Sequence, residues 1–349
     1  MSLDLTFKRY NVPAKAAHEV IVMPHFGDVI SENGEIIIPS DETGDWEIID
    51  DVPHSRDLIN IFGNKNLLKR RDATCKVIRS SIGTVTARTI YTRKLYIAAE
   101  NCQQELYQGA FRHWEGQQDI FQEKALEIIG NAVGTDMMSN KWFGKESRAN
   151  NATWSLNKFN GIWHYYNAAI TASTIPAAQT ATIGAGEISE ADAYDLIIEM
   201  IDKQDPILDG IDESDKAIYL DKKLAKKVWR YLVSVGQASP TAKADNMPKS
   251  FFVEDMELRT KKWTPFILEL LSGGATHGYA AVLTVKGNFV FATDKTYGKG
   301  PNNNGPALDV WYSQDDDVTR WEFHAKAGTE LIAPQHSVVA LTTGLTSVL

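Results

Sequence analysis

One stretch constrains the fold more than any other. From Gln118 to Trp142, the residues Phe121, Ala125, Leu126, Ile128, Ile129, Ala132, Val133, Met137 and Met138 recur at i, i+3, i+4 spacing. That period predicts one long α-helix over 118–142. At 1.5 Å per residue its roughly 25 residues extend about 37 Å, enough to cross a whole domain. Gly130 and Gly134 each lower the helix propensity by up to ~1 kcal/mol relative to alanine, so packing has to offset them. Gly144 is the expected stop.

The last third reads differently. Ala280 to Val285, Gly287 to Ala292, Leu308 to Tyr312, Thr319 to Lys326 and Val338 to Leu341 carry strand composition, separated by glycine-rich turns such as Tyr297 to Gly305. In Trp321, Phe323 and Ala325 an apolar face alternates with Glu322, His324 and Lys326. Helices and strands are segregated along the chain, so the fold class is α+β and not doubly wound.

Between these ends, residues 1–60 read as an extended arm with a short apolar run at Val20 to Met23 and a hairpin-type turn at Asn33-Gly34. Val77 to Ala99 is rich in β-branched and aromatic residues with arginine and lysine interleaved, which predicts one or two strands with a polar face. Leu58 to Asn66 fits a short helix or an irregular turn. Asn150 to Gly186 is rich in Asn, Thr, Ala and Gly and marks a boundary near residue 185. Ser189 and Asp192 then form a capping arrangement for a helix to about Asp202. Ala217 to Leu220 is a buried-strand candidate, followed by a helix from Asp221 that buries Leu224, Val228, Trp229, Leu232 and Val235 and stops at Gly236. Trp142, Trp229 and Trp321 sit at core-facing positions.

Charge and cysteine usage narrow the function classes. The net charge of -9 disfavours tight, nonspecific binding to nucleic acid, which depends on lysine and arginine displacing counterions. No run approaches the roughly 18 apolar residues of a membrane span. The two cysteines, Cys75 and Cys102, show no metal spacing, and so few thiols suit a reducing compartment without a structural disulfide. The charges are unevenly placed: Asp41, Glu42, Asp45, Glu47, Asp50, Asp51 and Asp57 precede Lys65, Lys69, Arg70, Arg71, Lys76, Arg79, Arg88, Arg93 and Lys94. Two solvated faces account for this, as do complementary surfaces that meet between neighbouring copies.

Motifs of chemistry are incomplete. Gly298-Lys299-Gly300 lacks the hydroxyl of a phosphate loop, and Gly184-Ala185-Gly186 lacks the third glycine of a dinucleotide fingerprint; both read as flexible surface loops. Asp315-Asp316-Asp317 lacks the alternate spacing and closing glutamate of a calcium loop and reads as a polar turn. The eight histidines form no metal pattern. His277, in the bend Gly273 to Gly278, is the one place where a dispersed hydrolase site would hide, against the simpler reading of a turn histidine. No catalytic, cofactor-binding or metal residue is assigned.

The order of elements resembles the major capsid proteins of tailed phages with the Hong Kong 97 type fold, especially the version associated with phages of Bacteroidetes. RTIYTRKLYIAAENCQQELYQG (88–109) is similar to the family's strand leading from its extended loop into a short helix, and DIFQEKALEIIGNAVGTDMMSNKWFG (119–144) to its long spine helix ending in an aromatic-glycine stop. Residues 217–232 resemble the strand and helix of the axial domain, and VWYSQDDDVTRWEFHAKAGTELIA (310–333) the closing strands of the peripheral domain. The resemblance implies an N-terminal arm over 1–50, an extended loop over 51–100, a peripheral domain over 101–186 with its spine helix, an axial domain over 187–306, and peripheral closing strands over 307–349. It also implies copies of the chain as partners in hexamers and pentamers, a portal protein, a decoration protein in some members, and DNA enclosed without specific binding. Because the arm-like segment begins almost at Met1, a separate scaffolding protein is expected. No lysine–asparagine crosslink pair can be assigned, and no crosslink is expected.

Overall fold

The structure is a computed structural model that describes residues 10–11, 45–49, 52, 54–63, 83–102, 136–149, 155–238, 246–271, 277–293, 308–313 and 318–349. In chain order its strands are β1 (Tyr10–Asn11), β2 (Trp46–Ile49), β3 (Ser55–Gly63), β4 (Gly83–Tyr91), β5 (Arg93–Cys102), β6 (Thr180–Ile183), β7 (Lys216–Asp221), β8 (Ser250–Val253), β9 (Met256–Lys261), β10 (Ala280–Val285), β11 (Phe289–Thr293), β12 (Leu308–Ser313), β13 (Val318–Leu331) and β14 (Ser337–Thr342). The helices are α1 (136–143), α2 (Ile162–Thr171), α3 (Glu190–Asp202), the single turn α4 (Pro206–Asp209), α5 (Lys222–Ser234) and α6 (Thr264–Leu270).

The described residues form three sheets. In the first, the 14-residue β13 pairs antiparallel with β5, β12 and β11; β2 lies parallel to β11, and β1 pairs with β12. The second runs β6-β14-β10-β7-β9-β8, with parallel pairs at β6–β14 and β7–β9 and antiparallel pairs elsewhere. The third is the two-stranded ribbon β3–β4, in register from Ser55↔Tyr91 to Gly63↔Gly83. This corrects the sequence reading of Leu58 to Asn66 as a helix or irregular turn: the Leu58 to Phe62 run is held in a strand by its partner β4, a nonlocal constraint that local propensity does not contain.

The inner strands β14, β10 and β7 of the second sheet are buried on both faces, which explains their apolar runs, whereas β6, β8 and β9 toward its edges alternate between buried and more exposed residues. Ile218 and Leu220 of β7 join Ala281 and Leu283 of β10 on one face, against Leu196, Ile197 and Met200 of α3 and Leu224, Val228 and Trp229 of α5. Ala217 and Tyr219 point the other way, into a core of Trp46, Trp142, Phe143, Trp163 and Trp263. There the rings meet edge to face, with centroids 5.0 Å apart for Trp46–Trp142, 4.8 Å for Trp142–Trp263 and 5.3 Å for Trp163–Trp263. The indole N–H groups of these four tryptophans have no hydrogen-bond partner among the described residues, and the edge-on packing directs ring edges at neighbouring π-faces instead.

The two capped helices form as the sequence requires. Ser189 Oγ accepts from the Asp192 N–H at the start of α3, and the Asp221 carboxylate accepts from the Lys223 and Leu224 N–H groups at the start of α5. Val235, expected in the core, is 46% exposed, because it is the C-cap residue beyond the last turn of α5. Of the predicted helix over 118–142, residues 136–142 fall in α1; the remainder lies outside the described residues. Helix α1 ends where Gly144 passes within van der Waals contact of another segment: a Cβ there would sit 2.1 Å from the Phe159 carbonyl oxygen.

Strand pairing cuts across the divisions drawn from sequence. Strand β11 (within 187–306) joins the first sheet, and β14 (within 307–349) lies between β6 and β10 in the second. Asp315 to Asp317, the 298–305 turn, Cys75 and the run from Lys65 to Arg79 lie outside the described residues.

Candidate functional site

The feature that sets this chain apart from an ordinary two-sheet domain is the β3–β4 ribbon. It is paired with itself along nine residues per strand, about 30 Å at ~3.4 Å per residue. Its root is fixed. The Thr92 N–H donates to the His54 carbonyl (2.9 Å), and Thr92 Oγ1 reaches the carbonyls of Val52 (3.0 Å) and His54 (3.2 Å). Ile90 is fully buried beside Val52, Ile49, Val290 and Ala292. Gly328 of β13 presses on the same point, since a Cβ there would lie 2.0 Å from the Tyr91 carbonyl oxygen. Nearby, His54, Arg56, Asp57, Ala87 and Tyr91 are exposed.

Two of the basic residues in the 65–94 stretch are engaged at this root within the chain. Arg88 pairs with Glu330 at 3.1 Å, and Arg93 grips Glu146 through two parallel bonds of 2.7 and 2.8 Å. Burial raises the Glu330 carboxyl pKa against the opposing effect of Arg88. Arg70 and Arg71, in the same basic stretch, lie outside the described residues.

A second polar cluster ties the segment carrying β2 to both sheets. Strand β2 hydrogen-bonds to β11, while the fully buried Asp45 just before it turns into the second sheet. Tyr219 Oη donates to Asp45 Oδ1 (2.8 Å), Lys261 Nζ donates to Oδ2 (3.2 Å), and Arg259 Nη1 closes on Oδ1. Arg259 is also held by Glu257 at 3.0 Å, which pairs with Lys286 at 2.8 Å. Burial, with the Asp45 charge beside it, pushes the Tyr219 hydroxyl well above its ordinary range, so the phenol keeps its proton and donates. Asp45 therefore does not serve the surface charge reading made from sequence; its charge is spent inside the chain. No local pattern signals this, since its cationic partners follow by more than 200 residues.

Asp221 is another buried carboxylate. Besides capping α5 it accepts from Thr264 Oγ1 (3.0 Å) and the Ala280 N–H (3.3 Å), joining α5, α6 and β10. Burial pushes it up to about 6 in spite of these donors.

His277 is half-buried ahead of β10, close enough to Glu187 for their charges to interact. Lys227, bonded to Glu187 at 2.8 Å, holds that exposed carboxylate below its usual range, which makes it a poor proton acceptor. Among the described residues no group of three or more His, Cys, Asp or Glu side chains is placed to hold a metal ion, and no helix is long and apolar enough to cross a membrane.

With this geometry in view, solved structures supply the comparison. The chain is similar to one in the satellite phage P4 procapsid (TM-score 0.54, 10% identity, 86% of this chain and 94% of that one). It is also similar to chains in the mature capsid of bacteriophage PhiM1 (0.51, 12%, 91% and 90%) and in the capsid of cyanophage P-SCSP1u (0.53, 9%, 91% and 93%). The fold is that of a phage capsid subunit. No protein-family profile matches the sequence, and no curated protein does. At such identities the likeness shows the capsid fold alone, and it covers most of both chains.

Proposed function

We propose that the chain is the major capsid protein of a tailed phage, of the version carried by phages of Bacteroidetes. Copies of it close into the icosahedral head shell that encloses the phage DNA. The observation that carries this reading is the likeness in fold to three phage capsid chains over most of both lengths. The self-paired ribbon supports it, because a two-stranded projection is marginal alone and gains stability by lying on a neighbour. By residue range, 1–50 form the arm, 51–100 the extended loop, 101–186 and 307–349 the peripheral domain, and 187–306 the axial domain around five-fold and six-fold positions. The role is structural and not enzymatic. Assembly takes place in the bacterial host cytoplasm with a separate scaffolding protein and on a portal. Each contact is modest and symmetry multiplies it. The negative net charge suits a wall that holds DNA without binding it tightly.

The test is negative-stain electron microscopy, with light scattering for mass, of the purified chain expressed with and without its candidate scaffolding protein. Closed icosahedral particles are expected. Rings or tubes would assign the chain to a connector or tail, and a monomer or dimer under every condition would return attention to His277 and a hydrolase.

A further inference from the structure

The root of the ribbon sits on one face of the first sheet. Residues alternate along β13, so Gly328 and Glu330 point the same way, with Ala292 and Val290 of β11 opposite them in register. This face meets β4 at two points: Gly328 lies against the Tyr91 carbonyl, and Glu330 pairs with Arg88. Around them Val290 and Ala292 pack with Ile90 of β4, and Leu58 of β3 covers the edge. The seat is therefore an apolar patch with a carboxyl group set into it, and lifting the root uncovers both.

Glu330 is 6% exposed at its side chain. Arg88 Nη2 approaches its Oε1 to 3.1 Å, and the Leu331 N–H donates to the same oxygen at 3.0 Å. Arg88 is 32% exposed, so water screens its attraction, whereas the carboxyl group has lost most of its hydration. Burial consequently outweighs Arg88, and the Glu330 carboxyl titrates above its usual range. The other charged groups around it have their own partners or keep their protons. Burial, with the Glu330 and Glu146 charges, raises the Tyr165 hydroxyl of α2, which stays protonated. Arg93 of β5 is held by Glu146 at 2.7 Å, and Asp57 of β3 accepts from Thr89 Oγ1 at 2.7 Å within the ribbon. His54 and Arg56 at the root are exposed, and β11 carries no charged residue.

We infer that the ribbon's hold on the body is proton-linked through Glu330: protonation fixes the root in its seat, ionisation loosens it, and Arg88 limits the loosening. The sign follows from the two environments of the carboxyl group. Lifting the root returns Glu330 to water, where a glutamate titrates near ~4.3. Seated, it holds its proton more tightly than that, so the hold is full below the ordinary value and weakens as pH rises through the seated one. The device belongs to a single subunit and goes beyond the capsid reading without resting on it.

The test is hydrogen exchange of the full-length, unassembled subunit, read by mass spectrometry and corrected for the intrinsic pH dependence of amide exchange. From about pH 7.5 to about pH 5.5, exchange at 55–58 and 88–91 relative to α3 is expected to slow roughly threefold or more in wild type. Glu330→Gln, neutral and of the same shape, should exchange slowly at both values and show no slope. Arg88→Met should exchange fastest at the higher pH and steepen the slope, because it leaves the buried carboxylate without its cation. Wild-type exchange that quickens or stays level on acidification would overturn the inference. So would a slope that persists in Glu330→Gln, which would belong to another group such as His54 or Asp221. If Glu330→Gln does not fold, Arg88→Met decides alone, and a slope no steeper than wild type overturns the inference. Each readout is made on separate subunits, so its failure leaves the capsid reading standing, and a chain that never forms shells leaves the proton linkage standing.

Discussion

Asp45 illustrates how much one buried charge decides. It neutralises Lys261, 7% exposed at its side chain, and the partly covered Arg259, and gives Tyr219 its acceptor. Replacing it leaves two cations facing a desolvated site, which costs on the order of 3 kcal/mol. Asp45→Asn is therefore expected to lower the unfolding free energy of the unassembled subunit by that amount, read as a lower denaturant midpoint at an unchanged slope of the transition. Asp221 differs because burial favours its neutral form relative to the unfolded chain. Its folded pKa of about 6 lies above the unfolded value of about 3.9, so the folded state holds the proton more tightly. Its contribution is full below pH ~4 and is lost as pH rises through ~6, a decline on the order of 3 kcal/mol. Chemical denaturation of wild type and Asp221→Asn between those limits should show wild type losing stability relative to the variant as pH rises. A gain would mean that the four hydrogen-bond donors outweigh burial.

At the scale of elements, the ribbon depends on its root. Gly328→Ala forces a Cβ against the Tyr91 carbonyl, where backbone on both sides leaves little room to yield. A loss of roughly 1–3 kcal/mol is expected, with hydrogen exchange accelerated first in β3 and β4. Elements with local signals were legible in the sequence: α3 and α5 through Ser189 and Asp221, β7 through an unbroken apolar run, and β13 through its alternation, although it extends beyond both expected ends. The elements that escaped are those held by distant partners. Strand β3 is a strand because β4 lies beside it, and α2, inside a stretch read as a compositional boundary, is a helix because Trp163 and Tyr166 fill the aromatic core. The polar sites were less legible still. Arg88 and Arg93 read as surface cations until Glu330 and Glu146 are brought to them by the fold.

At the scale of the molecule, the two sheets are interleaved along the chain and are not successive. The short turn after Val285 carries the chain from β10 in the second sheet to β11 in the first, and the turn after Leu331 carries it back from β13 to β14. A fragment of residues 187–306 contains β7, β8, β9 and β10 but lacks β14 and β6. It exposes the flank of β10 that β14 covers, where Ala281 pairs with Ala340 and Leu283 with Val338. Expressed alone, it is expected to lack the dispersed NMR spectrum and near-ultraviolet dichroism of a packed core, whereas the whole chain should unfold in a single transition. The position of β14 has a further consequence, in time. In sequence it follows every other strand of its sheet, and it clasps β6 through bonds such as Thr343 to Ile183 across 160 residues. During synthesis the place between β6 and β10 stays empty until that strand leaves the ribosome, so a nascent chain cannot present a finished face to its neighbours. Translation itself acts as a delay on assembly, and closure across so long a loop makes the last folding step a slow one.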